Sequence, residues 1–296
     1  MDLRGSLLYS LLELAHATSK NLGFAHRDDV HVSYGEETIT ETNLLELRRR
    51  HPAIITLHTF GKKKEALNGA DWEWHIIGRR RKFRMRVQAK RLQKNGVLKI
   101  PHKVKSSGAQ QIDLLIKDAK ANRLQPIYCI YSAENQRNHW AIKPTPGDFV
   151  EFEYGCLLVS ANTVKANGPR ALGDIETHCI PWHYLVERCR YVGAEVSDIL
   201  EVDGSEMRFV IASGALSSVT DEARAIDSVA VSSFPTLDEL NASVGPSREI
   251  DGLIDADDPE YERRSSEEEY RERRIGRLVE IDVREIPVAR DDEDAV

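Results

Sequence analysis

Acidic, amide and basic side chains alternate along residues 69–91 in a pattern suited to holding a divalent metal beside a phosphodiester. The segment reads GADWEWHIIGRRRKFRMRVQAKR, which predicts two strands joined by a basic turn. Because successive side chains of a strand point to opposite faces, Asp71 and Glu73 share one face of the first strand. Gln88 and Lys90 share one face of the second strand. With the apolar residues between them turned to the core, these polar residues form one surface.

This pattern, an Asp at the start of one strand and a Gln-x-Lys tripeptide at the end of the next, resembles the PD-(D/E)XK nuclease superfamily. The likeness is to its Mrr-like restriction branch, in which QxK replaces the (D/E)xK tripeptide. It spans roughly residues 33–135 and is carried by Gly69, Asp71, Gln88, Ala89 and Lys90. The resemblance implies a metal-dependent endonuclease that hydrolyses phosphodiester bonds. It also implies a role in bacterial anti-phage defence or restriction.

The resemblance also implies a role for each motif residue. Asp71, the Gln88 side chain and the Ala89 carbonyl would bind Mg²⁺ or Mn²⁺, and Lys90 would orient or activate the attacking water. Mg²⁺ prefers hard oxygen ligands, and such a metal polarises a phosphoryl oxygen and lowers the pKa of water. Because Gln88 is neutral, a second acid is expected from elsewhere.

Four glutamates are candidates for this second acid. Glu36, Glu37 and Glu41 lie in the first core helix, which supplies the acid in the resembled family. Glu41 closes an S/T-x-x-E capping box that starts at Thr38, and this explains it fully. Glu37 is preferred, because it lies one helical turn before Glu41 and faces the same way. Glu73 is the alternative, and a salt bridge to the neighbouring arginines explains it equally well.

The distribution of charge predicts a polyanionic partner. The chain carries a net charge of −7, and the residues from Asp221 onward include 23 acids and 10 bases, a net of −13, which leaves +6 for residues 1–220. Residues 61–105 hold 15 Lys or Arg against 3 acids. We therefore expect nucleic acid, most simply DNA, to contact Arg84, Arg86 and Arg91.

The elements around the motif predict an α/β fold with a restriction-endonuclease-like core: helix, three strands, helix, strand. The core helix ends at Pro52, strand signals follow over residues 53–60, and a helix over about 110–121 leads to a buried strand at 126–131. Further on, the pattern predicts a strand and short helix over 149–164, a helix over 180–189 and a strand over 206–212. We expect these later elements to add to the same sheet in parallel.

Three regions are predicted. Residues 1–30 form an N-terminal amphipathic helix, residues 31–213 form the nuclease domain, and residues 214–296 form an acidic extension that is partly disordered or helical. The acidic extension either covers the basic face, docks a partner or only solubilises the chain. No separate reader domain is evident, so a partner protein that supplies recognition or activation, or a second copy in a homodimer, is expected.

Other patterns exclude some functions. Four cysteines without a CxxC pair predict reduced thiols in the cytoplasm, and neither a signal peptide nor a membrane span is evident. His178, Cys179 and His183 lack a fourth ligand for structural zinc. Trp72 and Trp74 point away from Asp71, which favours core packing over base stacking.

The alternative to a nuclease is a catalytically inactive nucleic-acid-binding or scaffold subunit of a defence complex.

Overall fold

The computed structural model describes residues 3–59, 69–78, 81–104, 108–133, 155–175, 178–186, 252–255 and 276–284. They form a mixed α/β fold. Its helices are α1 (Leu3–Ala25), α2 (Glu36–Arg50), α3 (Gln111–Ala121) and α4 (Ala161–Asn167), with short 3-10 helices at Leu172–Asp174 and Trp182–Val186. Its strands are β1 (Ile55–Thr59), β2 (Trp72–Ile77), β3 (Arg81–Arg91), β4 (Gln125–Tyr131), β5 (Cys156–Ser160), β6 (Ile180–Pro181), β7 (Leu253–Asp255) and β8 (Arg277–Asp282).

The strands form one sheet in the order β1-β8-β2-β3-β4-β5-β6, with β7 paired to β3. β2 and β3 are antiparallel, and β4 runs parallel to β3 after the crossover through α3. The predicted sequence of helix, three strands, helix and strand is therefore found in α2 through β4. The expected parallel addition is wrong, because β5 pairs with β4 in the antiparallel direction. The strand predicted over 206–212 lies outside the described residues.

The C-terminal part of the chain contributes to the main sheet, which the predicted boundary at residue 214 does not allow for. β8 lies between β1 and β2, antiparallel to the first and parallel to the second. Val279 and Ile281 of this strand are buried and belong to the common core. A short strand that follows a long charged run gives little signal on its own. The charged run over 256–275 lies outside the described residues.

The helices α1 and α2 cover the apolar face of the central strands. Trp74 meets Trp182 edge to face, with ring centroids 6.1 Å apart, and the Trp182 indole N–H donates to the Leu11 carbonyl at 2.8 Å. Trp72 and Trp74 are buried, as the alternation predicts. Leu7 and Leu11 of α1 belong to the same core. The predicted N-terminal amphipathic helix is thus confirmed as a helix, and it packs within the common core rather than apart from it.

The opposite face of the central strands lies under α3. All six residues of β2 are buried, including the polar ones, so the expectation of an open polar surface is wrong along most of this strand. α3 runs along β3. The Gln111 side chain at its start meets Gln88, and Asp118 near its end meets Arg86.

The predicted capping box at the start of α2 is also wrong. The helix begins at Glu36 after Gly35, so Thr38 already lies within the first turn and cannot cap it. Glu36 and Glu37 instead place negative charge in the first turn, where the helix dipole favours it. The helix ends at Arg50, just before Pro52, as predicted.

Candidate functional site

Asp71, Gln88, Ala89 and Lys90 lie together at one end of the sheet, and we name them the QxK cluster. Asp71 immediately precedes β2, and its backbone N–H donates to the Val87 carbonyl at 2.8 Å. Its carboxylate Oδ2 accepts from Gln88 Nε2 at 2.6 Å and from the Ala89 N–H at 2.7 Å. Gln88 Nε2 also donates to the Ala89 carbonyl at 3.0 Å. A carboxylate, a carbonyl and an amide therefore converge on one point.

The start of α3 holds this arrangement in place. Gln111 Nε2 donates to Gln88 Oε1 at 2.7 Å, and this hydrogen bond from α3 holds the Gln88 amide in place. Gly69 has a φ of +73°, and a side chain there would place its Cβ 2.5 Å from the Gln111 carbonyl oxygen. Only glycine lets the chain pass so close to α3 and then place Asp71 at the start of β2.

Lys90 lies on the same strand face as Gln88. Burial lowers the pKa of its ammonium group from the ordinary value, and the negative charges of Asp71 and Glu36 oppose part of that shift. A lysine with a lowered pKa gives up its proton more readily than an exposed lysine does. This is the property that proton transfer from water requires.

Among the predicted second acids on α2, Glu36 contacts the end of β3 that carries Lys90. Its carboxylate accepts from the Arg91 backbone N–H at 3.4 Å and acts on the charge of Lys90. Glu37 and Glu41 face the same way, as predicted, but they face Arg277 of β8, at 3.5 Å and 2.5 Å. The preferred candidate Glu37 is therefore directed away from the cluster by the rotation of α2 about its axis, and Glu36 takes the adjacent position.

Glu73, His75, Arg84, Arg86 and Asp118 form a second group, which we name the buried charge cluster. The Glu73 carboxylate lies 2.5 Å from His75 Nε2 and 3.0 Å from Arg86 Nη2, and Arg86 Nη1 lies 2.5 Å from Asp118 Oδ2. Burial alone would raise the pKa of Glu73, but Arg86 and His75 hold it well below the ordinary value. Burial lowers the pKa of His75, and the charge of the neighbouring Glu73 opposes part of that shift. Two acids thus balance two arginines.

This placement overturns two expectations about the strand face. Glu73 is fully buried and engaged in the buried charge cluster, so it is not available as a second metal-binding acid. Arg84 and Arg86 are 4% and 0% exposed, so they do not offer their guanidinium groups to nucleic acid. The physical reason is that α3 covers the face that alternation alone left open. Arg91, the third predicted contact, is partly exposed and donates to the Tyr34 carbonyl at 3.2 Å.

Two residues of this region were missed by sequence reasoning. Gln111 is the first residue of α3, and Tyr128 of β4 lies directly opposite Gln88 in the parallel register. In isolation, a glutamine at the start of a helix and a tyrosine in an apolar strand are unremarkable. The crossover of β3, α3 and β4, already predicted, was the signal that could have placed both beside Gln88.

The donor set of the QxK cluster fits a hard divalent cation such as Mg²⁺ or Mn²⁺. Asp71 and Ala89 offer oxygens around Gln88 Nε2, and a half-turn of the Gln88 amide would replace this nitrogen with Oε1. Within the ranges that the structure describes, no group of three or more His, Cys, Asp or Glu residues is arranged to hold a metal. Such a metal would therefore depend on the amide and the backbone carbonyl.

The protein thus has a mixed α/β fold in which an acid, an amide and a lysine lie close together at the end of a hairpin. The chain belongs to a family of unknown function, DUF6615, whose sequence profile matches residues 8–295. A search of curated proteins gave no match. Within the described helices, none combines the length and the apolar character needed to cross a bilayer.

Proposed function

We propose that this protein is a metal-dependent nuclease that hydrolyses phosphodiester bonds of DNA, with the QxK cluster as its centre and a restriction-endonuclease-like core as its fold. The observation that carries the proposal is the convergence of the Asp71 carboxylate, the Gln88 amide and the Ala89 carbonyl next to Lys90. The hairpin of β2 and β3, followed by α3 and the parallel strand β4, supports the proposed fold. The insertion of β8 beside β2 is a feature of this chain beyond the resembled core order.

The chemistry assigns a role to each residue of the cluster. Asp71, Gln88 Oε1 and the Ala89 carbonyl would hold the cation. When bound, it supplies a Lewis acid that polarises a phosphoryl oxygen and lowers the pKa of water. Lys90, in its neutral form, accepts the proton that the attacking water gives up. The water oxygen forms a bond to phosphorus as the bond to the leaving oxygen breaks, and the leaving oxygen takes a proton from solvent.

The basic character of residues 61–105 supports a nucleic-acid substrate, although Arg84 and Arg86 serve the interior instead. Described cations that remain near the QxK cluster include Arg91 and Lys94. Lys94 forms an exposed ion pair with Asp28, which a phosphate could replace. These groups border the end of β3, where the cluster lies. A role in restriction or defence remains a prediction from the resemblance alone.

The direct test is cleavage of supercoiled plasmid and of single-stranded DNA with Mg²⁺ or Mn²⁺, comparing the wild-type protein with Asp71→Asn. We expect cleavage to fall by about 10³-fold, because losing a catalytic metal removes several kcal/mol of transition-state stabilisation. Asp29→Asn, at an exposed aspartate that pairs with Arg27, is the matched control and should cleave like the wild type. Equal cleavage by Asp71→Asn and the wild type would refute the proposal.

A second candidate function is a nucleic-acid-binding subunit without catalytic activity. It is favoured by the neutral Gln88 and by the engagement of Glu37, Glu41 and Glu73 with basic partners away from the QxK cluster. Such a protein would bind DNA with an affinity that falls steeply with salt. It would show no turnover with either metal and either substrate in the same cleavage experiment.

A further inference from the structure

Two buried polar atoms behind the QxK cluster lack hydrogen-bond partners within the described part of the chain. They are Gln111 Oε1 and the Tyr128 hydroxyl oxygen. The Tyr128 side chain is 0% exposed. A buried polar group without a partner is unfavourable, so each of these atoms calls for an explanation.

Both groups flank Gln88. Tyr128 lies opposite Gln88 in the parallel pairing of β3 and β4, and residues in register share a face of the sheet. Gln111 holds the Gln88 amide from α3. Burial raises the pKa of Tyr128, and the negative charges of Asp71 and Asp113 raise it further. The Tyr128 hydroxyl therefore keeps its proton, and it is able both to donate and to accept a hydrogen bond.

The hydrogen bonds through Gln88 run in one direction in this structure. Gln111 donates to Gln88 Oε1, and Gln88 donates from Nε2 to Asp71. This direction suits a cluster without a cation, because an N–H group faces the carboxylate. A cation bound to Asp71 requires the opposite orientation, with Gln88 Oε1 toward the metal and Nε2 toward Gln111. Gln111 must then turn as well, so that its Oε1 accepts.

We propose that Gln88, Gln111 and Tyr128 form a hydrogen-bond relay whose direction reverses when a divalent cation binds, with Tyr128 as the positioning residue at its end. The inference rests on the proposed function of the QxK cluster. With no cation, Gln111 Oε1 and the Tyr128 hydroxyl lie buried without a hydrogen bond among the described residues, as in this structure. With a cation, the turned Gln111 presents Nε2 to the Tyr128 hydroxyl, which accepts. Tyr128 therefore gains a hydrogen bond only in the reversed state.

The relay predicts how substitutions affect metal affinity in the protein without DNA. Tyr128→Phe removes the hydroxyl and retains the ring, so Gln111 Nε2 has no acceptor in the cation-bound state. The Kd for Mn²⁺ should therefore rise about tenfold, in the range found for groups that orient metal ligands. In the Gln111→Glu variant, the new carboxylate can only accept a hydrogen bond. It therefore accepts from Gln88 Nε2 and leaves Gln88 Oε1 facing the cation. In that background, Tyr128→Phe should change the Kd by less than about twofold, since no reversal remains to be supported.

The experiment is titration of the full chain with Mn²⁺, following free Mn²⁺ by electron paramagnetic resonance, for the four members of this double-mutant cycle. Tyr131→Phe is the matched control. It removes a buried hydroxyl from the same strand, but this hydroxyl bonds Thr40 at 2.8 Å on the opposite face. We expect the control to lower the thermal midpoint and leave the Kd for Mn²⁺ within about twofold of the wild type. Thermal melts of every variant establish that it is folded.

The outcomes separate the relay from the metal site itself. If Asp71→Asn binds Mn²⁺ as tightly as the wild type, or the wild type binds none, the metal site and the proposed function fail together. If Asp71→Asn loses binding while Tyr128→Phe matches the wild type, only the relay is overturned. An additive cycle, with the same loss from Tyr128→Phe in both backgrounds, also overturns it. The relay is also overturned if a folded Gln111→Glu variant loses Mn²⁺ binding.

Discussion

Two polar layers lie two residues apart on the same pair of strands, and they have opposite environments. In the QxK cluster, Asp71 and Lys90 keep part of their surface exposed, and one carboxylate faces an amide and a lysine. In the buried charge cluster, Glu73 and Arg86 are fully buried and their charges are balanced by their neighbours. Strand alternation treats the two layers identically. The difference arises because α3 covers one layer with Asp118 and meets the other only at its first residue.

A charged face of a strand can therefore serve two purposes. Charges that are paired and buried hold strands and helix in one register, and removing one partner is strongly unfavourable. Charges that remain incompletely balanced can act on a ligand. The four predictions below test this division, from the largest expected effect to the smallest.

Substitution of Lys90 should abolish activity without weakening the fold. Lys90→Met removes the proposed proton acceptor, and we expect the single-turnover rate of plasmid cleavage to fall about 10²–10⁴-fold. Since burial already lowers the pKa of this ammonium group, its removal should leave the midpoint of urea unfolding unchanged or slightly higher. Lys90→Arg should fail to restore cleavage, because a guanidinium group does not give up its proton. A Lys90→Met variant that cleaves normally would remove Lys90 from the mechanism.

Substitution of Arg86 should have the reverse effect. Arg86→Met keeps a long side chain but leaves Glu73 and Asp118 without their shared partner, so we expect a loss of about 3–5 kcal/mol in the free energy of unfolding. Cleavage per folded molecule should be unchanged. Urea unfolding followed by tryptophan fluorescence measures the loss. A change below about 1 kcal/mol would mean that the ion pairs of Arg86 with Glu73 and Asp118 contribute little to the free energy of unfolding.

The stability of the fold should decrease as the pH falls. The pKa of His75 is below its ordinary 6.5 in the folded state, and the pKa of the buried His183 is lowered to about 3. The unfolded chain therefore binds more protons, and stability is lost from about pH 6.5 downward. Glu73, whose folded pKa is also depressed, adds a further loss below about pH 4.5. Thermal midpoints between pH 8 and pH 5 measure this, and His75→Gln should flatten the slope.

The two neighbouring glutamates of α2 should differ in their effect on cleavage. Glu36→Gln removes the carboxylate that accepts from the Arg91 backbone N–H beside the QxK cluster, and we expect about a tenfold lower rate, typical of groups that orient a metal site from outside. Glu37→Gln, whose carboxylate faces Arg277, should stay within about twofold of the wild type. Rates at saturating Mg²⁺ provide the comparison. The opposite ranking would restore Glu37 as the second acid.

Much of the local structure could be predicted from the sequence. The two central strands, the helix after them and the following strand lie where the periodic patterns indicated, and Trp72 and Trp74 pack in the core as alternation required. The alternating pattern also predicted that Asp71 and Gln88 lie at the same end of the hairpin. Two strands joined by a short turn fix this pairing by local geometry.

The long-range features could not be predicted in this way. β8 follows a charged segment and lies between β1 and β2, and Arg277 contacts Glu41, a residue 236 positions earlier. No local pattern encodes that contact. The same holds for α3, since its amphipathic pattern shows that it packs on a sheet but not which polar side chains it covers.

The sequence by itself determined which residues share a face of β2 and β3, because the two-residue period of a strand is a property of the backbone. Only the tertiary structure decided which part of that face stays accessible, which glutamate of α2 lies beside Lys90, and which groups stand behind Gln88. Each of these depends on how a helix is rotated and placed over the sheet. That placement is set by packing among segments distant in sequence.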